Sequence, residues 1–217
     1  MYRFRLVSRS SVPAPGAARH PQSRCSAQAL AQVSCVIPPH AYSDHGGQNT
    51  GYGPYWVGDI INAVGTSPCG YWNNTAIIIT WDDWGGFYDH VPAPQPFRNQ
   101  YELGFRVPLL VVSAYTGVKN LDGTYSGYVS CPTPVSPTCP ANPMDFGSIL
   151  SFIEGNFGLP FIAPPPLSYA DKQAKPLDPG FFGLTSPRPF KAIPGIPYDS
   201  TFFTTNQVSP SEDPDDD

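Results

Sequence analysis

The chain has 217 residues, of which 28 are Pro and 20 Gly; only 13% are charged, and the formal net charge is −5. With 41% hydrophobic and 13% aromatic residues it can bury a core within one loop-rich domain, which excludes a chain disordered throughout. No basic patch interleaved with aromatics is present, which argues against nucleic-acid binding, and no stretch reaches the roughly 18 apolar residues of a membrane span.

Residues 1–31 differ from the rest. Met1-Tyr2-Arg3-Phe4-Arg5 is basic, but no apolar run follows and Ser, Pro, Ala and Arg dominate, so the segment reads as a disordered or non-native leader rather than a signal peptide. Order is predicted to begin at Gln32–Pro38, a short apolar strand stopped by Pro38-Pro39. The polar stretch His40-Ala41-Tyr42-Ser43-Asp44-His45-Gly46-Gly47 follows. Trp56, Ile60, Ile61 and Val64 recur at helical spacing behind Pro54, which predicts a helix over 54–64.

The next strand, 75–80, carries three consecutive isoleucines, Ile77, Ile78 and Ile79, without polar alternation. That pattern predicts burial on both faces, as in a parallel sheet under helices. It ends in Asp82-Asp83, and Gly85-Gly86 lets the backbone turn sharply there. Two adjacent carboxylates repel each other unless a cation or strong donors neutralise them, and a bound metal ion is the simplest neutraliser. The bland alternative is that the pair serves a helix cap or a turn. Strand, helix, strand over 33–80 reads as a βαβ unit whose parallel strands bring His45 and Asp82-Asp83 to one crevice at their carboxyl ends.

A third strand is predicted over 106–113, followed by a long Gly/Pro-rich connection over 114–143. The strongest helix pattern is 144–158: Phe146, Ile149, Leu150 and Ile153 share a stripe, Asp145 can cap it and Gly158 can stop it. From Pro160 the chain reads as irregular, and 191–217 as an irregular tail ending in acidic residues. Three parallel strands and two helices are too few to cover both faces of a sheet, so the chain reads as part of a larger one whose missing strands lie upstream. The five cysteines show no metal-ribbon spacing; Cys131 and Cys139 could close a small loop in an oxidising compartment, and the odd count leaves at least one thiol free.

Ser43-Asp44-His45, Trp72-Asn73-Asn74-Thr75, the long run Thr80-Trp81-Asp82-Asp83-Trp84-Gly85-Gly86-Phe87-Tyr88-Asp89-His90-Val91-Pro92, Gly104-Phe105-Arg106-Val107-Pro108 and Asp145-Phe146-Gly147-Ser148-Ile149-Leu150 together resemble the bacterial phosphoesterase family. That family includes phospholipases C and an acid phosphatase branch within the alkaline phosphatase-like superfamily. The resemblance covers 32–190 and implies an α/β fold, part of an alkaline phosphatase-like parallel sheet with helices on its faces.

It also implies metal-dependent hydrolysis of phosphate esters, of phospholipase C type, on a phosphate ester or phospholipid substrate. Asp82 and Asp83 would hold a divalent or trivalent metal ion, His45 would contact the phosphate or leaving group, and Asp44, Asp89 and His90 are second-tier candidates. Relatives carry an upstream half with a Glu-Asn metal motif and a Ser or Thr nucleophile. Neither has a match here, so the nucleophile is unknown and the chain resembles the carboxyl-terminal part of such an enzyme, inactive alone. The missing amino-terminal half is then an expected partner. Relatives also often have His where Cys131 and Met144 stand. An extracytoplasmic location follows from the resemblance only. The other class considered is a non-catalytic α/β module that binds a ligand or partner through an exposed strand edge.

Overall fold

The computed structural model describes residues 2–8, 30–46, 51–93, 102–130, 144–162 and 169–195. The chain divides into two compact units, Met1–Ala114 with Pro189–Asp217, and Tyr115–Arg188.

The first unit is built on a sheet of four strands: β1 (Tyr2–Ser8), β2 (Val33–Val36), β3 (Thr75–Trp81) and β4 (Leu109–Ser113), in the spatial order β2-β1-β3-β4. Every pairing in it is antiparallel, with Phe4 opposite both Val36 and Ile79, and Ile78 opposite Val111. This corrects the expected parallel sheet. The unbroken burial of Thr75–Thr80 reflects the central position of β3, covered on both faces, and says nothing about the direction of its neighbours. Since β2 and β3 both run against β1, they run the same way as each other. The expected strand-helix-strand unit therefore keeps its sense, but its two strands are not neighbours. Tyr2–Ser8, placed by sequence in a structureless leader, is the strand between them.

Helix α1 (Tyr52–Gly65) connects β2 to β3, two residues longer at its start than the predicted 54–64. Its Ile61 and Val64 form the core with Ile77 and Ile79, and Trp56, Ile60, Val112 and Phe190 pack around them. Alternate residues of a strand share a face, so Ile77 and Ile79 are the pair that α1 covers. Residues 189–195 return to this helix: the Asn62 amide donates to the Ile193 carbonyl at 2.9 Å and accepts the Ile193 N–H at 2.8 Å. A Cβ on Gly65 would meet the Phe190 ring at 2.2 Å, so a glycine is needed where that ring crosses the helix.

The second unit holds a short hairpin, β5 (Val118–Lys119) and β6 (Tyr125–Ser126), inside what sequence assigns to a long connection. It also holds α2 (Phe146–Phe157) and a single turn of helix, α3 (Ala170–Gln173). The predicted ends of α2 are both found. Asp145 accepts the Gly147 N–H at 2.7 Å, its own N–H reaches the Ser148 hydroxyl at 3.0 Å, and Gly158 adopts φ +65. Asp145→Ala should lower stability by about 0.5–2 kcal/mol, read as a fall in the urea midpoint by far-ultraviolet circular dichroism. Asp145→Asn, which keeps an accepting oxygen, should lose much less. The loop containing Cys131 and Cys139 lies outside the described residues. Cys69 is disulfide-bonded, while Cys35 is a free, exposed thiol.

Candidate functional site

Strand β3 delivers its carboxyl end into a loop. Asp82 is partly buried and Asp83 exposed, and the Asp83 Oδ1 accepts the Gly85 N–H at 2.7 Å. Gly85 and Gly86 both adopt positive φ, +65 and +73, and the Phe87 N–H closes onto the Trp84 carbonyl at 3.2 Å. Two consecutive left-handed residues make a turn of the I′ kind, which disfavours residues with a side chain at both positions. The turn role and the site role are compatible for Asp83, because the turn engages one of its two oxygens. Thr80, the hydroxyl nearest the carboxylates along the strand, donates to the Pro108 carbonyl at 3.0 Å.

Asp89, on the same loop, is firmly held. It receives Arg106 Nε and Nη2, each at 2.7 Å, and the Val91 N–H at 3.0 Å. The Arg106 guanidinium is the chief reason its carboxyl lies far below the ordinary value of 3.8. Such a carboxylate adds to stability above the unfolded value and loses that contribution only as pH falls through its own depressed value. Asp89 should therefore stay ionised to well below pH 3.8, which a carboxyl carbon titration by NMR would check. Residues 104–106 brace the loop in two further ways. A Cβ on Gly104 would lie 2.6 Å from the Trp84 ring, and Phe105 meets Trp84 and Tyr88 edge-on at 6.0 and 6.2 Å. His90 is 81% exposed and stands 3.7 Å from Asp89, so it is peripheral to this pair.

His45 reaches its place through a different construction. After β2, a turn of 3₁₀ helix at His40–Tyr42 leads to Ser43, whose buried hydroxyl donates to the His40 carbonyl at 2.7 Å and accepts the His45 N–H at 3.2 Å. Asp44 takes φ +52, a conformation that costs a non-glycine residue about 1–2 kcal/mol. Burial pushes its carboxyl up from 3.8. The His45 Nδ1 meets the Gly46 carbonyl at 3.0 Å, and its ring lies 5.5 Å from that of His40.

The direction shared by β2 and β3 sends both loops from the same edge of the sheet, as expected. Among the described residues, however, the contacts of His45 are with Ser43, Gly46 and His40 and do not reach Asp82 or Asp83. Nor does any group of three His, Cys, Asp or Glu side chains among them stand in position to hold a metal ion. The described residues alone do not fit a complete metal centre; they offer a carboxylate pair and a separate histidine loop. Arg106 is the residue that sequence reasoning missed. Its partner lies 17 positions away, and the available signal was a cation beside Gly-Phe in a chain with only 12 Lys and Arg.

The model of the Phosphoesterase family matches residues 9–160. This span starts upstream of the 32–190 assigned from motifs. The non-hemolytic phospholipase C of Burkholderia pseudomallei is 33% identical over 152 residues, covering 59% of this chain and 19% of that protein. The hemolytic phospholipase C of Pseudomonas aeruginosa is 29% identical over 150 residues, 60% of this chain and 18% of the relative. A plant relative, non-specific phospholipase C6 of Arabidopsis thaliana, is 36% identical over 90 residues, 35% of this chain and 17% of that protein. The chain thus spans about a fifth of the length of the curated relatives it matches. No solved structure matches it.

Proposed function

The chain belongs to the phosphoesterase family, and from that membership we propose that it serves phosphodiester hydrolysis of phospholipase C type, on a phospholipid or related phosphate ester. The observation that carries this reading is the loop after β3. A central strand buried from Thr75 to Thr80 ends at two carboxylates, and the turn that follows is fixed by two left-handed glycines and clamped by Asp89 and Arg106.

In this reading Asp82 and Asp83 would contribute ligands to a metal ion that needs further ligands beyond these two, and His45 would hold or move a proton near the ester. A bound ion would supply polarisation of a phosphoryl oxygen. The reading extends to an alkaline phosphatase-like enzyme in which this chain corresponds to the carboxyl-terminal part, with the nucleophile supplied upstream. The disulfide at Cys69 supports an oxidising, extracytoplasmic setting. No described helix is long and apolar enough to cross a membrane.

The test is metal content and turnover of p-nitrophenyl phosphorylcholine for residues 1–217, beside a chain extended upstream. Asp82→Asn and Asp83→Asn in the active form should each lower metal occupancy and turnover together, by about 10-fold or more if they are ligands. Full metal content in both variants would remove them from the ion. No turnover in either chain would favour the second reading, a non-catalytic binding module.

A further inference from the structure

Arg106 has an unused half. Its Nε and Nη2 are engaged by Asp89, and its backbone N–H approaches the same carboxylate at 3.4 Å. A guanidinium has five N–H donors in a fixed fork, so the Nη1 edge remains available, and among the described residues nothing occupies it. The side chain is 52% exposed although its carboxylate partner is only 13% exposed. One edge of the guanidinium is therefore fixed while about half of the side chain stays open to solvent. The clamp belongs to the loop that carries Asp82 and Asp83, because Phe105 packs on Trp84, the residue after Asp83.

We infer that Arg106 is a binding residue for the phosphoryl group, with Asp89 as the positioning residue that aims its free guanidinium edge. This rests on the phosphoesterase reading and adds to it a contact that does not depend on a metal ion. Arginine suits the role because a planar fork can grip a carboxylate with one edge and a phosphate oxygen pair with another, which lysine cannot do. Pairing with Asp89 keeps the guanidinium oriented before a ligand arrives, so less conformational freedom is lost on binding.

The experiment uses residues 1–217 with inorganic phosphate as probe and chloride at matched ionic strength as control. The Arg106 Nε–Hε resonance, assigned by its loss in Arg106→Lys, should shift saturably with phosphate and not with chloride. Arg106→Lys should weaken phosphate binding by about tenfold, the scale of one charged hydrogen bond, while the melting temperature stays near wild type. Asp89→Asn should weaken it to a smaller degree and broaden the Arg106 resonance. An Arg106 signal indifferent to phosphate, or unchanged affinity in Arg106→Lys, would make the pair a brace and nothing more. Turnover of p-nitrophenyl phosphorylcholine separates the two levels. A phosphate response without turnover in any chain retains this contact and defeats the hydrolase reading. Turnover with the same KM in Arg106→Lys does the reverse.

Discussion

Ile77→Ala should destabilise the first unit by about 2–5 kcal/mol, the range for truncating a buried isoleucine to alanine. Ile77 is 0% exposed, lies in the central strand opposite Leu6 and Val112, and packs with Ile61, Val64 and Ile79 under α1. A strand paired on both sides cannot shift to fill the void, so most of the cavity should persist. Urea unfolding followed by tryptophan fluorescence would measure it, with Leu110→Ala as the control. Leu110 is 48% exposed on the edge strand β4 and should lose less than about 1 kcal/mol. Equal losses at the two positions would mean that β3 is not the centre of the sheet.

Glu154→Gln should raise stability at neutral pH and lose its advantage in acid. Glu154 of α2 is 8% exposed and Asp171 of α3 is 1% exposed. The Glu154 Oε2 and Asp171 Oδ1 are both buried without a hydrogen-bond donor, while the other Asp171 oxygen accepts the Ile162 N–H at 2.7 Å. Burial first, and then the neighbouring Asp171, push the Glu154 carboxyl up from 4.5. Two facing carboxyls need one proton between them to satisfy both oxygens. The helices are also held close, since a Cβ on Gly147 would lie 2.2 Å from the Ala170 carbonyl oxygen, which limits any retreat of one carboxyl from the other.

The sign follows from the raised value. The contribution of Glu154 to stability is complete below pH 4.5 and is lost as pH rises through the folded pKa. A glutamine amide is neutral at every pH and can donate to Asp171. The variant should therefore gain about 1–3 kcal/mol at neutral pH, the penalty of an unsatisfied buried polar group, and converge on wild type as pH approaches 4.5. The difference between the two proteins is the quantity to follow, because the depressed Asp89 contributes equally to both. A difference that does not vary with pH would show that no proton is shared.

The sequence makes some of this legible and hides the rest for identifiable reasons. The cap at Asp145 and the stop at Gly158 are decided within one turn of helix, so local residues suffice to find them. The burial of Ile77–Ile79 is legible because three apolar residues in a strand require two covered faces. The direction of the neighbouring strands is not, since pairing depends on residues far away. Tyr2, Phe4 and Leu6 alternate with Arg3 and Arg5, which is a half-buried strand pattern masked by the Ser, Pro and Arg that follow. At the site, Asp82 and Asp83 announce themselves by a glycine pair at a strand end, and Asp89 only by the motif that contains them. Arg106 and the Glu154–Asp171 pair depend on contacts between separate segments.

The place of β1 between β2 and β3 also orders events in time. Strand β1 pairs with Val33–Val36 on one side, but its other partner is Thr75–Trp81, so Tyr2 waits until Trp81 has been synthesised. Sequence-distant pairings of this kind close large loops and slow folding. Until β3 arrives, β1 and β2 form a two-stranded ribbon with an open inner edge, a state marginal in water and prone to pair with another chain. Between synthesis of residue 8 and residue 81, therefore, β1 lacks the partner on its β3 side and is exposed to misassembly.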